Sequence, residues 1–168
     1  MAARPLPHPE CFHVRAALGW LELGSVAESR HELSFVAAWH REHPDVLEIW
    51  WKIFAEEKDW PAALASAERL ATVAPERDTG WVEQAFALHE LRRTPEAYER
   101  LARVVEQFPK AYVIPYNLAC YQCQMGQREE AWRWLKRAVK AADVPTIRAM
   151  AMQDPDLAPL RDELARLK

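Results

Sequence analysis

Cys120 and Cys123 are separated by two residues, the spacing of a redox dithiol or of half a zinc site. Either chemistry needs more than spacing. A redox pair needs a basic group that lowers a thiol pKa, and a structural zinc needs two further ligands. The pair falls inside a helical pattern, with no second pair, no preceding strand and with Cys11 far off in sequence. It is read as coincidental. His40 and His43 lie three residues apart near a helix end without a third ligand, and are expected to face solvent. Acidic neighbours such as Glu56 and Glu57 sit in regular helix and read as a solvated face. Four dispersed glycines cannot build a phosphate loop, and no nucleophile stands in a recognisable arrangement with a base. The chain is therefore expected to be no enzyme, with no catalytic, cofactor or metal site.

Composition narrows the remaining classes. Half of the 168 residues are hydrophobic, enough for a continuous core, and 28% are charged, which argues against disorder. Net charge is −3, with lysine and arginine scattered among the acids. Nucleic-acid binding draws on a basic surplus or stripe, so that class is disfavoured. No apolar run approaches the roughly 20 residues that span a bilayer. Residues 1–9, rich in proline, lack the apolar stretch of a secretion signal and read as an extended lead-in. Three cysteines, an odd number, fit a reducing compartment, and a cytoplasmic location is expected.

The elements that position everything else come from a 34-residue period. Gly24, Lys58, Arg92 and Gly126 are successive steps of 34 and fall between helical patterns. The same step links Ala17, Trp51, Ala85 and Ala119, then Ser29, Ala63, Ala97 and Ala131, then Leu33, Ala67, Leu101 and Leu135. Four units of two helices each are expected over residues 10–43, 44–77, 78–111 and 112–143. In the second unit Leu47, Trp50, Trp51 and Phe54 share one helix face, followed by Ala63, Ala67 and Leu70. Ser25 with Glu28 has the form of a capping box, and Thr94-Pro95-Glu96 places proline where its missing N–H costs nothing. The Ser/Ala column at 29, 63, 97 and 131 is small because two helices approach closely only where a facing side chain is small.

This spacing resembles the tetratricopeptide repeat. Trp81, Ala85, Leu88, Ala97, Leu101 and Pro109 carry the third copy, and Tyr116-Asn117-Leu118-Ala119 with Gly126 and Glu130-Ala131 the fourth. The first copy departs most, with Ser29 for the usual alanine and Arg41 for the usual proline; in the second, Trp51 replaces a small residue. The resemblance implies an all-α, right-handed α-α superhelix of four helix pairs. Residues 144–168 break the period and are expected to cap the stack: a short helix over 144–152, then Asp154-Pro155-Asp156 capping a helix over 157–167, with Leu157, Leu160, Leu164 and Leu167 in one stripe.

The resemblance also implies that the first helix of each pair lines a concave side. Helical angles set by Ala16, Ala17 and Trp20 then place Val14, Leu18, Glu48, Lys52, Val82, Phe86, Tyr116, Asn117 and Cys120 as the candidate partner-binding groove. This face is mostly apolar, as expected of a surface that covers something. Acidic residues outnumber cations near it, so an apolar, basic-flanked peptide or helix is the expected ligand and capture of a terminal carboxylate is not. The lead-in could equally fill the groove. Among the eight tryptophans, Trp20, Trp50, Trp51, Trp60 and Trp81 fall in packing columns. Trp132 and Trp134 are expected to meet the cap. Trp39 is the best candidate for an exposed aromatic contact, with packing preferred even there. The expected function is a protein-binding adaptor or scaffold. The alternatives are a self-associating homodimer and a small chaperone of the same repeat type.

Overall fold

The computed structural model describes residues 5–166, and among these there is no strand. Four helix pairs run in chain order: α1 (Glu10–Glu22) with α2 (Val26–Ser34), α3 (Pro44–Glu56) with α4 (Trp60–Val73), α5 (Asp78–Glu90) with α6 (Thr94–Ala102), and α7 (Val113–Gln124) with α8 (Arg128–Ala141). They are followed by α9 (Val144–Gln153), a 3-10 turn (Pro155–Leu160) and α10 (Arg161–Ala165). Internal contacts divide the chain into two compact units, Met1–Ala87 and Leu88–Lys168.

The turn inside each pair is built the same way. Gly24, Lys58, Arg92 and Gly126 all have positive φ, between 58° and 76°. Each ends its helix by the same two hydrogen bonds: Lys58 N–H donates to the Ala55 carbonyl at 3.0 Å and Asp59 N–H to the Phe54 carbonyl at 2.8 Å, while Gly126 and Gln127 repeat this on Cys123 and Gln122 at 2.9 and 2.8 Å. Reversing direction within a residue or two requires the left-handed conformation, and the paired bonds satisfy carbonyls that the helix end leaves open. The period of 34 is thus fixed by a turn geometry, which is why two of its four residues are glycine. Ser25 stands at the start of α2, but its hydroxyl makes no capping bond. Asp59, one period later, reaches the Ala62 amide at 3.2 Å because its carboxylate is one bond longer.

In the first unit Val14 and Ala17 of α1, Leu33 and Val36, and Val46, Ile49 and Ile53 of α3 form one buried cluster, joined by Leu6 from the lead-in. The lead-in is therefore anchored in the core at Leu6; Met1–Arg4 lie outside the described residues. The expected core face of α3 holds at Leu47, which is buried with Leu70 and Ala74, and fails at its aromatics. Val46, Ile49 and Ile53 are buried as well, while Trp50 and Phe54 are half-buried and stack at 5.5 Å between ring centroids. The Arg30 guanidinium covers both rings at 5.1 and 5.4 Å and is held by Glu57. A helix apolar nearly all round offers two stripes, and the β-branched one fits the tight inter-helix space. Gly80 is required where α5 meets α4: a Cβ there would lie 2.8 Å from the Ala71 backbone nitrogen.

In the second unit α7 packs along α8, and α9, the 3-10 turn and α10 fold back on this pair. Ile147, Ala151, Leu157, Leu160 and Leu164 are fully buried; Leu167 of the expected stripe lies outside the described residues. Each such side chain contributes about 1.5–3 kcal/mol for the larger residues, so the cap is held by burial rather than by its exposed charges. The helix expected over 157–167 is broken into a 3-10 turn and the five-residue α10. Pro159 is the cause, since it donates no N–H and disfavours α geometry at the residue before it.

Candidate functional site

The nine groove positions divide by environment. Val14 faces inward and is buried among Ile49, Ile53 and their neighbours. Leu18, one turn further along the same helix and only about 40° round it, stays exposed. On α3, Glu48 accepts from the Arg77 guanidinium at 2.9 Å and from the Thr79 hydroxyl at 3.1 Å, while Lys52 is exposed. Val82 is half-buried. Phe86 is 37% exposed, as is Leu18.

Phe86 is propped from two sides. The Trp51 ring stands edge-on to it at 6.1 Å and the Trp60 ring at 5.7 Å. Edge-to-face packing holds an aromatic in one orientation while leaving part of its face free. Trp51, which occupies a column of small residues in the other repeats, finds its space here, on the side of Phe86.

A buried carboxyl lies one turn before Phe86 on α5. Glu83 is buried on α5, and burial pushes its carboxyl pKa up to about 8, with Glu48 adding to the rise and Lys52 opposing it. Its Oε2 has no hydrogen-bond partner among the described residues, and neither does the buried indole N–H of Trp51. Buried polar groups are nearly always paired, so two unpaired ones on adjacent helices of one unit mark an unusual spot. Glu83 reads as one more surface acid in the sequence. Only its place one turn before Phe86, at a position where α3 carries Ile49, hints at burial.

The α7 positions are arranged differently. Tyr116 and Cys120 are buried. The Tyr116 hydroxyl donates to Asp154 Oδ2 at 2.8 Å and the Cys120 thiol lies 3.5 Å from the same oxygen. Gln124 donates to Asp156 at 2.9 Å, and His89 Nε2 stands 3.1 Å from Asp156. The cap thus covers the face of α7 that carries these residues, leaving Asn117 half-buried. Asp154 does double work, since its other oxygen accepts from the Asp156 amide and starts the turn. The sequence shows the capping role; the bond to Tyr116 spans 38 residues and has no local sign.

Both thiols of the Cys120/Cys123 pair are free and buried. Burial raises both, Cys123 to about 11, and Asp154 and Asp156 push Cys120 further still. Such thiols are poor nucleophiles and poor metal ligands at neutral pH. Among the described residues no group of three potential ligands could hold a metal ion. His40 and His43 are not solvent-facing spectators. His40 bonds Glu10, and His43 Nδ1 accepts from the Asp45 amide at 3.2 Å, capping α3. Trp39 is largely exposed rather than packed, and Trp20, expected in a packing column, is exposed as well. Trp134 lies under the Arg137 guanidinium at 5.6 Å. No described helix is long and apolar enough to cross a membrane.

Comparison with solved structures gives the fold. The chain superposes on TTC0263, a thermophilic TPR protein of Thermus thermophilus, with a TM-score of 0.75 at 18% identity, over 94% of this chain and 84% of that one. It is also similar to MamA residues 41 to the end from Desulfovibrio magneticus RS-1, with a TM-score of 0.70 at 16% identity over 96% and 94% of the two chains. A further MamA crystal structure matches with a TM-score of 0.70 at 12% identity, over 94% and 86%. No protein-family model and no curated protein matches the sequence. The architecture is an all-α solenoid of the tetratricopeptide-repeat type.

Proposed function

We propose that this chain, whose fold is that of the tetratricopeptide-repeat proteins, is a non-enzymatic adaptor that holds an apolar, basic-flanked segment of a partner protein against the patch centred on Phe86. The observation that carries this reading is the Phe86 ring, left open to solvent while Trp51 and Trp60 fix it from the edges. A rigid aromatic anchor binds with little loss of side-chain freedom, which is what makes such residues dominate protein interfaces. Val82, one turn before Phe86 on α5, adds apolar surface, and Lys52 and Glu48 act on the neighbouring Glu83 and frame it with charge. Leu18, two repeats earlier in the same column, is a further candidate contact. A cation on the incoming segment is favoured because, brought close, it would stabilise the ionised form of Glu83, which burial and Glu48 now hold protonated at neutral pH. The α7 positions are outside this patch because Asp154 covers them.

A peptide array probed with the full chain tests the reading. Apolar segments flanked by lysine or arginine should be retained, and the same segments flanked by glutamate should not. Equal retention of acidic-flanked and basic-flanked segments would remove the assigned role of Glu48 and Glu83.

A further inference from the structure

The outer face of α1 carries an apolar seam that the described residues leave largely open. Phe12, Ala16, Gly19 and Leu23 follow one another at intervals of four, three and four residues, the spacing by which one helix meets another along a line. At about 100° per residue this line lies opposite Val14, Ala17 and Leu21, which face the core. Phe12 is 51% exposed and Leu23 77%, and Trp20 beside them is 37% exposed. The His8 ring touches one edge of Phe12 at 4.1 Å and leaves the rest open.

The matching positions in later repeats show what such a face is for. Steps of 34 from Phe12 reach Val46 and Ile114, and from Gly19 reach Ile53, Ala87 and Tyr121, all buried, whereas those from Leu23 reach exposed Glu57 and half-buried Leu91 and Met125. In the first unit Val46 and Ile53 are buried against α1 and α2. At Phe12 and Gly19 the α1 seam is therefore of the inter-repeat contact type, with no neighbouring helix pair on it among the described residues. Gly19 strengthens the point. A glycine inside a helix is destabilising, and no atom lies within 4 Å of where its Cβ would stand. Its absent side chain leaves room for a close approach from outside.

We infer that a second copy of this chain occupies the seam, α1 against α1 about a two-fold axis, with the helices antiparallel. Two features commit the surface to itself. The other end of the repeat series is already occupied, since α9 and the Pro155–Leu160 turn pack on α8, so end-to-end stacking has no free face there. The charges beside the seam are also self-complementary. Arg15 and Glu22 are exposed, make no ion pair among the described residues, and lie two turns apart on one flank of α1. In an antiparallel two-fold pair like flanks face each other, so each Arg15 meets the other copy's Glu22. The midpoint between these residues lies within one residue of the midpoint of the seam. In a parallel pair, both charges would face the flank carrying Trp20 and find no counter-charge.

Sedimentation velocity over a concentration series up to about 100 μM measures the pairing. The wild-type chain should sediment as a monomer–dimer equilibrium. Phe12→Glu with Leu23→Glu should abolish the dimer while circular dichroism stays unchanged. Arg15→Glu and Glu22→Arg should each weaken the dimer by roughly tenfold, and the two together should restore it to within about threefold of wild type. A wild-type monomer throughout, a dimer that survives the Phe12/Leu23 change, or a charge swap that fails to restore it would each overturn the inference. Phe86→Glu should leave the dimer intact, which separates this surface from the partner-binding patch.

Discussion

The Tyr116 hydroxyl donates a 2.8 Å hydrogen bond to Asp154, tying the turn after α9 to the face of α7. That bond closes the fourth repeat against ligands and holds a segment whose own helices are short. Tyr116 is buried and its pKa is raised, first by burial and then by the neighbouring Cys120 and Asp154.

Removing Asp154 leaves the buried Tyr116 hydroxyl unpaired, and removing the hydroxyl leaves Asp154 Oδ2 with only the weak Cys120 thiol as donor. Tyr116→Phe should destabilise the chain by roughly 1–2 kcal/mol and Asp154→Ala by somewhat more, because Asp154 also caps the turn. Hydrogen exchange should place the loss in α9 and α10, with α1–α4 unchanged. Loss spread evenly over all helices would deny the cap its local anchor.

Lys58 and Arg92 adopt a left-handed backbone that suits glycine, which Gly24 and Gly126 already provide. Lys58→Gly and Arg92→Gly should therefore each stabilise the chain by about 0.5–1 kcal/mol, partly offset by greater freedom of the unfolded chain. Gly80→Ala should do the opposite and cost roughly 2 kcal/mol or more, since α4 and α5 must separate to admit a methyl group. Urea midpoints for the three variants provide the check.

Glu83 sets a pH dependence. Its folded-state pKa, about 8, lies above the ordinary value of 4.5. Between those values the folded chain binds more protons at this site than the unfolded chain, so the Glu83 contribution to stability declines as pH rises through the window and levels off above 8. Glu83→Gln should flatten that decline, with a gain of roughly 2–4 kcal/mol at pH 8.5 relative to wild type when the two are matched at pH 5. Identical slopes for the two proteins would show the carboxyl to be better solvated than its surroundings imply.

Much of this architecture can be read from residue spacing because a stacked helix pair places the same demand at the same position each time. Ser29, Ala63, Ala97 and Ala131 are all fully buried, and the left-handed turn residues fall in one column. Where the spacing leaves two answers, it misleads. α3 has apolar residues on both Val46/Ile49/Ile53 and Leu47/Trp50/Phe54; Leu47 is buried as its spacing suggests, but Trp50 and Phe54 are only half-buried while the β-branched stripe packs on α1 and α2. The groove positions depend on contacts that no local pattern records. Tyr116 and Cys120 are covered by a carboxylate from the far end of the unit, whereas Phe86 is left open by rings from two other helices. Trp20 follows the packing column of its repeat, but among the described residues no helix pair lies against that side of α1.

The claim that the Phe86 patch receives the partner is tested most directly by the affinity of an array-selected peptide for three proteins: wild type, Phe86→Glu and Asp154→Ala. Titration followed by intrinsic tryptophan fluorescence should report a loss of at least about tenfold for Phe86→Glu, as expected for an interface anchor, and wild-type affinity for Asp154→Ala. Unchanged affinity in Phe86→Glu, with the loss appearing in Asp154→Ala instead, would place the binding surface on α7 and contradict the account.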